Sequence, residues 1–119
     1  MLYEIARWRI HKENTKDHLE MWREIFDYAK SHSEKFYVTR SRILQLTDEE
    51  SSEEETWGWI DEYEDREAYD KMAKAKDEDP ELAKMNRQWH SKWDPMRVPD
   101  SFKAELWTER VRVDLKKQA

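Results

Sequence analysis

His18 and Asp61 are the two ionisable residues whose sequence neighbours suit them to proton transfer or to hydrogen bonding with a ligand. His18 lies one turn before Trp22, on the apolar half of a segment with helical periodicity, and Asp61 alternates with Trp57 and Trp59. An imidazole beside a ligand can act as a general base or as a hydrogen-bond donor, and desolvation among aromatic rings suits a carboxylate to the role of base. His18 and Asp61 are therefore the candidate catalytic residues. A mechanism that uses both requires one enclosed cavity that both side chains reach.

Each of these residues also has a purely structural explanation. His18 can be a histidine at the edge of the core that bonds a backbone carbonyl, with its charged form disfavoured by the helix N-terminus. Asp61 can pair with Arg7, Arg9 or Arg42 from neighbouring strands, because buried charges are rarely left alone. The sequence leaves both explanations open.

Aromatic residues surround both candidates and can line a pocket for an aryl ligand. Rings at helix or strand spacing are equally consistent with ordinary core packing, and the position of His90 is consistent with the surface. The candidate ligand-binding residues are Trp22, Trp57, Trp59, Tyr63, Trp89, His90 and Arg7. The single glycine, Gly58, lies inside a strand pattern, where it marks a bulge, a packing accommodation or the close approach of a ligand or a partner subunit.

Several kinds of site are disfavoured by the sequence. There is no cysteine, and the four histidines form no HxH or HxxxH pair. The acidic run 48–55 lacks the glycine and the alternating ligands of a calcium loop, and is typical of a solvated hairpin loop. A net charge of −6 argues against nucleic acid as a partner. We therefore expect no metal, no cofactor and no nucleic-acid partner.

The chain length predicts one domain, residues 1–119. Leu, Ile, Val and Phe make up less than a fifth of the chain, which by itself is typical of disorder. Seven Trp, five Tyr and five Met supply the missing apolar volume, so we expect an aromatic core. No stretch approaches the length of a membrane span and the N-terminus has no signal-peptide pattern, so we expect a cytoplasmic protein with no membrane partner.

The periodicity predicts how these residues are positioned. Four segments alternate as strands, at 2–11, 36–47, 56–64 and 102–115. Two helices are predicted, one over 16–32 and one that starts after Asp65 and breaks near Asp79, where Pro80 follows. The order β-α-β-β-α-β predicts an α+β, ferredoxin-like fold, a four-stranded antiparallel sheet with both helices on one face. The other face must then carry apolar residues such as Tyr3, Ile5 and Trp107, which predicts a homodimer whose long last strand can cross to the neighbour.

The sequence resembles the dimeric α+β barrel superfamily, and within it the NIPSNAP-like and antibiotic-biosynthesis-monooxygenase-like domains. The resemblance spans residues 2–115 and is carried by LYEIARWRI at 2–10, HLEMW at 18–22, WIDEYED at 59–65 and DPEL at 79–82. It implies a dimeric barrel that binds a hydrophobic or aromatic metabolite between sheet and helices. The alternative that it implies is a cofactor-independent monooxygenase or an isomerase. The haem-degrading members are the least similar, because Tyr63 stands where their tryptophan aligns and no asparagine precedes Asn14.

Overall fold

A computed structural model describes residues 1–116 as a four-stranded antiparallel sheet with helices. The strands are β1 (Leu2–His11), β2 (Arg40–Gln45), β3 (Glu54–Tyr63) and β4 (Lys103–Thr108), and the helices are α1 (Thr15–Ser31), α2 (Arg66–Glu78) and α3 (Pro80–Trp93). The strands lie in the order β2-β3-β1-β4. This arrangement confirms the predicted ferredoxin-like α+β fold.

The central pair of strands sets the geometry of the whole sheet. β1 pairs with β3 along its full length, from Leu2 opposite Tyr63 to His11 opposite Glu54, in one unbroken register. No bulge therefore interrupts this pair at Gly58. A Cβ at that position would lie 2.8 Å from the carbonyl oxygen of Ala6, so glycine is needed because the backbone of β1 approaches closely.

The helices cover the sheet face to which alternate residues of β1 and β3 point. One buried cluster joins Trp8 and Ile10 of β1 to Met21 of α1 and to Trp57 and Trp93. A second buried cluster lies at the opposite end of the sheet and contains Leu2, Tyr63, Met72 and Leu82. The aromatic core that the composition predicts is thus divided between two ends of one interface.

The break in the second predicted helix is real and has a local cause. The Asp65 carboxylate accepts the backbone N–H of Ala68 at 2.8 Å and begins α2. The Asp79 carboxylate accepts the N–H of Leu82 at 2.9 Å, and Pro80 at the first helical position begins α3. Two separate helices result, each able to present its own face to the sheet.

Two strands are shorter in the structure than the sequence predicts. The second strand begins at Arg40 and not at residue 36, because Phe36 and Val38 pack on the cluster of Leu2 and Tyr63 before the chain enters the sheet. The last strand ends at Thr108 and not at residue 115.

The reason for this early end lies in β1. Thr108 already faces Leu2, the first residue of β1, so no strand of the same chain remains for residues 109–116 to pair with. Residues 117–119 of the predicted tail lie outside the described residues. Over 1–116, none of the helices combines the length and the hydropathy that crossing a bilayer requires.

Candidate functional site

A cavity of about 150 Å³ opens between the sheet and the helices. It is lined from α1, β2, β3, α2 and α3, and most of its wall is aromatic or aliphatic. A cavity of this size is comparable to one that holds a benzene-sized ring. The aromatic residues of the wall are Trp22, Phe26, Phe36, Trp59, Trp89 and Trp93.

Asp61 supplies the carboxylate of this cavity. It projects from β3 among apolar side chains, and burial raises the pKa of Asp61 to about 6. The Ser41 hydroxyl of β2 donates a hydrogen bond of 2.6 Å to Asp61 Oδ1, which partly offsets the rise in pKa. Lys76 of α2 lowers the pKa of Asp61 by its positive charge, and Glu4 of β1 raises it by its negative charge.

Three further polar side chains line the cavity from the helices. Lys76 belongs to α2, and Asn86 and His90 belong to α3. His90 is exposed, so it borders the cavity from the solvent side. An apolar wall with a few polar groups is the usual composition of a small-molecule site.

His18 does not line this cavity. Its side chain is completely buried, and its Nε2 accepts the indole N–H of Trp8 at 3.0 Å and that of Trp22 at 3.2 Å. Because Nε2 is the acceptor, the ring proton lies on Nδ1. Burial lowers the pKa of His18 to about 4, and the nearby Glu55 opposes this shift. The structure therefore gives the lone pair of His18 to two tryptophans, and its ring packs edge-on against Trp57 at 4.7 Å.

The structure does not bring the two candidate catalytic residues to one cavity. Asp61 lines it, whereas His18 lies behind Trp22, whose ring forms part of the wall. An active site that uses both groups on one ligand is therefore not formed. The backbone carbonyl expected as the alternative partner of His18 is not found among residues 1–116 either, because Nε2 accepts two indole N–H groups and the buried Nδ1 has no hydrogen-bond partner there.

Of the seven candidate ligand-binding residues, four line the cavity: Trp22, Trp59, Trp89 and His90. The other three lie elsewhere. Trp57 donates its indole N–H to Glu55 at 3.1 Å, and the buried Tyr63 packs against Tyr69 with ring centroids 5.3 Å apart. Arg7 is exposed on the sheet face opposite the helices.

The ion pair expected as the alternative role of Asp61 is wrong. Arg7 is exposed on the other sheet face, and Arg9 pairs with Glu54 at 2.8 Å. Arg42 lies 4.0 Å from Glu62. Successive strand residues point to opposite faces, so these arginines and Asp61 are separated by the sheet itself.

Four residues of the site were missed in the sequence analysis: Glu4, Ser41, Lys76 and Asn86. For Glu4 a signal existed, because it occupies the inward phase of β1 between Leu2 and Ala6, and the register places it opposite Asp61. Its Oε1 accepts the indole N–H of Trp59 at 3.2 Å. For the other three, the sequence shows polar residues at positions where solvent exposure is the ordinary expectation.

No metal site is evident among residues 1–116, since no three His, Asp or Glu side chains converge there as ligands would. The polar groups of the cavity come from one carboxylate, one hydroxyl, one amide, one amine and one imidazole. This set suits hydrogen bonding and proton transfer to an organic ligand.

Comparison with known proteins rests on the structure. No family model and no curated protein matches the sequence. A crystal structure of an antibiotic biosynthesis monooxygenase superposes with a TM-score of 0.58 at 15% identity, covering 93% of this chain and 100% of that one. A protein from Nitrosomonas europaea, described as an antibiotic biosynthesis monooxygenase, gives a TM-score of 0.63 at 15% identity over 92% of this chain and 98% of that one.

SnoaB from Streptomyces nogalater, described as a cofactor-independent oxygenase, gives a TM-score of 0.61 at 13% identity, covering 94% of this chain and 95% of that one. At such identities the similarity is one of fold. The resemblance of the sequence to NIPSNAP-like domains stays a prediction. The chain has the fold of the antibiotic biosynthesis monooxygenase proteins on which it superposes.

Proposed function

We propose that this protein binds a hydrophobic or aromatic small molecule between its sheet and its helices. The observation that supports the proposal is an apolar cavity with a single carboxylate, Asp61, held by Ser41 at its wall. Trp22, Trp59, Trp89 and His90 remain the proposed contacts of the ligand. His18 enters the proposal as a positioning residue, because its hydrogen bond fixes the indole of Trp22.

Filling the cavity tests this proposal. Ala29 lines the cavity from α1, so Ala29→Phe places a ring inside it. Thermal-shift and calorimetric titrations with single-ring aromatic compounds should show binding to the wild type and at least a tenfold loss in the variant. Ala73→Phe is the matched control, because Ala73 is exposed on α2. Equal binding by both variants would place the ligand elsewhere.

An enzyme of the monooxygenase or isomerase type is the second candidate, and Asp61 favours it. A carboxylate whose pKa is raised by burial to about 6 can accept a proton from a C–H or O–H group of a bound ligand near neutral pH. The test is turnover of the compounds that bind, followed by oxygen consumption and by mass spectrometry. Asp61→Asn should abolish turnover and keep binding, and turnover that survives this change would exclude Asp61 as the base.

We also propose that the protein is a homodimer that packs through the sheet face opposite the helices. Ile5, Leu44 and Trp107 expose 40%, 47% and 55% of their surface on that face. Tyr3 and Ile60 lie beside them in register. An exposed group of large apolar residues on a small domain favours a self-complementary interface.

The segment after β4 supports the same assembly. Val111, Val113 and Leu115 alternate with polar residues, as in a strand, yet they expose 90%, 72% and 86% of their surface. We propose that this segment crosses to the partner subunit, where a free strand edge can pair with it.

Sedimentation velocity tests the dimer. The mass obtained for the wild type should be twice the chain mass of 14.7 kDa. Trp107→Glu should shift it toward the monomer, because a charge would be buried in the interface. Gln88→Glu, on the exposed side of α3, is the control and should stay dimeric. A chain that ends at residue 109 should dissociate at lower concentration. A wild type that is monomeric at micromolar concentration would contradict the proposal.

A further inference from the structure

Asp61 is a cavity carboxylate that forms no ion pair within 4.0 Å among residues 1–116. Its Oδ1 accepts the Ser41 hydroxyl at 2.6 Å. Across the described chain, no Lys, Arg or His nitrogen comes within 4.0 Å of either oxygen. Charges in apolar surroundings are normally paired, so the missing partner of Asp61 calls for an explanation.

The charges around Asp61 make this end of the cavity negative. Glu4 stands directly opposite Asp61 in the β1–β3 register, and its oxygens accept the Trp59 indole at 3.2 Å and the Tyr69 hydroxyl at 3.4 Å. Lys76 of α2 is the basic group that acts on Asp61 from the facing helix, and His90 borders the cavity from α3. Asp61 lines the cavity and Glu4 adds its negative charge from the neighbouring strand, against the positive charge of Lys76, which favours a ligand of positive charge.

The walls of the cavity fit a cation as well as a ring. Trp22 and Trp93 meet nearly at right angles, with ring centroids 5.5 Å apart, and Trp59 lies 6.0 Å from Trp22 at an angle of 63°. Rings at these distances pack directly on one another, so Trp22, Trp59 and Trp93 form one continuous aromatic wall of the cavity. The faces of indole rings attract organic cations, and the guanidinium of Arg97 already lies 4.0 Å from the ring of Trp93.

We propose that the cavity binds a small aryl-alkyl ammonium ion, whose ring packs against the wall formed by Trp22, Trp59 and Trp93 and whose ammonium group donates hydrogen bonds to the free oxygen of Asp61. This inference rests on the proposed function, because it takes the cavity to be a small-molecule site and specifies the ligand. The cavity volume of about 150 Å³ limits the ligand to a single ring with a short side chain. The ligand then supplies the positive charge that Asp61 lacks in the fold.

Three probes of one shape separate the contributions. Benzylammonium carries the charge, benzyl alcohol carries a neutral donor at the same place, and toluene carries neither. Titration calorimetry at pH 7.5 should show benzylammonium binding about tenfold more tightly than benzyl alcohol. Asp61→Asn should remove this preference and leave the binding of benzyl alcohol intact. Glu20→Gln, an exposed acid on α1, is the matched control and should keep the preference.

The pH dependence gives a second readout. Benzylammonium stays protonated throughout the range, whereas burial raises the pKa of Asp61 to about 6. Its binding should therefore weaken as the pH falls below 6, and that of benzyl alcohol should not. Any contribution of His90 at the mouth is separated by repeating the titration with His90→Gln, which should retain the same profile.

The outcomes distinguish this inference from the proposed function. Equal affinity for benzylammonium and benzyl alcohol, or an unchanged preference in Asp61→Asn, would overturn the cation and leave the small-molecule site standing. Absence of binding by all three probes to the folded wild type would contradict both.

Discussion

His18 and Asp61 lie on the same side of one sheet, both among aromatic rings, yet the fold treats them in opposite ways. The Nε2 of His18 receives hydrogen bonds from Trp8 and Trp22, and its ring is closed off from solvent. Asp61 receives one hydroxyl, from Ser41, and its remaining capacity faces a cavity. Burial disfavours the charge of both, lowering the pKa of the histidine and raising that of the aspartate.

This difference indicates which of the two residues can contact a ligand. A buried acceptor such as Nε2 of His18, which already receives two donors of the fold, stabilises the structure, and a group with unused capacity beside an apolar cavity is available to a ligand. His18 is thus part of the support of the site, and Asp61 is part of its surface. Changes at the two positions should have different consequences for stability, for pH dependence and for binding.

Replacement of His18 should have the largest effect. His18→Ala leaves the indole N–H groups of Trp8 and Trp22 without their acceptor and opens a cavity, so the free energy of unfolding should fall by about 3 kcal/mol. Urea denaturation followed by tryptophan fluorescence measures it. His90→Ala, the same change at an exposed position, should stay within about 0.5 kcal/mol of the wild type. A loss below about 1 kcal/mol at His18 would show that the indoles find other partners.

The second largest effect is expected from His18 when the pH is lowered. Its pKa in the folded state is about 4, below the ordinary 6.5, so the unfolded chain takes up the proton first as the pH falls. The stabilisation by neutral His18 is complete above pH 6.5 and should be lost, by about 2 kcal/mol, between pH 6.5 and 4. Denaturation midpoints of the wild type and of His18→Gln across this range measure the effect. A parallel pH profile in the two proteins would assign the loss to other groups.

Asp61→Asn should change stability less and in the other direction. The pKa of Asp61 is raised in the folded state, so its charge destabilises the fold above pH 6 and is neutralised as the pH falls toward 4. The variant should gain about 1 kcal/mol at pH 7.5 and lose this advantage at pH 4.5. Thermal unfolding at both pH values measures it, with the exposed Asp27→Asn as control. A variant less stable at pH 7.5 would mean that the bond to Ser41 outweighs desolvation.

The smallest effect is expected from Glu4→Gln. Glu4 lies on the neighbouring strand, and its negative charge raises the pKa of Asp61. Removing this charge should lower the pKa of Asp61 by less than about one unit. Glutamine keeps an acceptor for the indole of Trp59. A carboxyl-carbon NMR titration reports the shift directly, and the control Glu20→Gln should leave the pKa of Asp61 unchanged. No shift would mean that burial alone sets the pKa of Asp61.

Much of the fold could be predicted from periodicity and capping. Alternation in residues 2–11 and the Asp79–Pro80 pair are local signals that lie where predicted. The strand predicted over 56–64 runs from Glu54 to Tyr63, so the last two residues of the predicted acidic loop belong to it. The ends of β2 and β4 could not be predicted, because pairing depends on how far a neighbouring strand extends. Residues 109–115 alternate as a strand does, but β1 begins opposite Thr108 and offers no further partner.

The candidate site was predicted only in part. The pattern around Asp61 correctly put its carboxylate among tryptophans, and four of the aromatic and histidine candidates line the cavity. That His18 serves two indoles could not be foreseen, because Trp8 reaches it from a separate strand. Lys76 and Asn86 were also out of reach, since their approach to the cavity depends on how α2 and α3 pack.

The element order, the aromatic composition of the core and the strand face that Asp61 shares with Trp57 and Trp59 follow from the sequence, because they depend on composition and on side-chain alternation along one strand or helix. That this strand face meets the helices is a property of the tertiary structure. Only the tertiary structure decided which polar groups are satisfied. The hydrogen bond from Trp8 to His18, and the absence of a cation within 4.0 Å of Asp61 among residues 1–116, depend on distances between separate segments of the chain. Those distances separate the histidine that supports the site from the aspartate that faces the cavity.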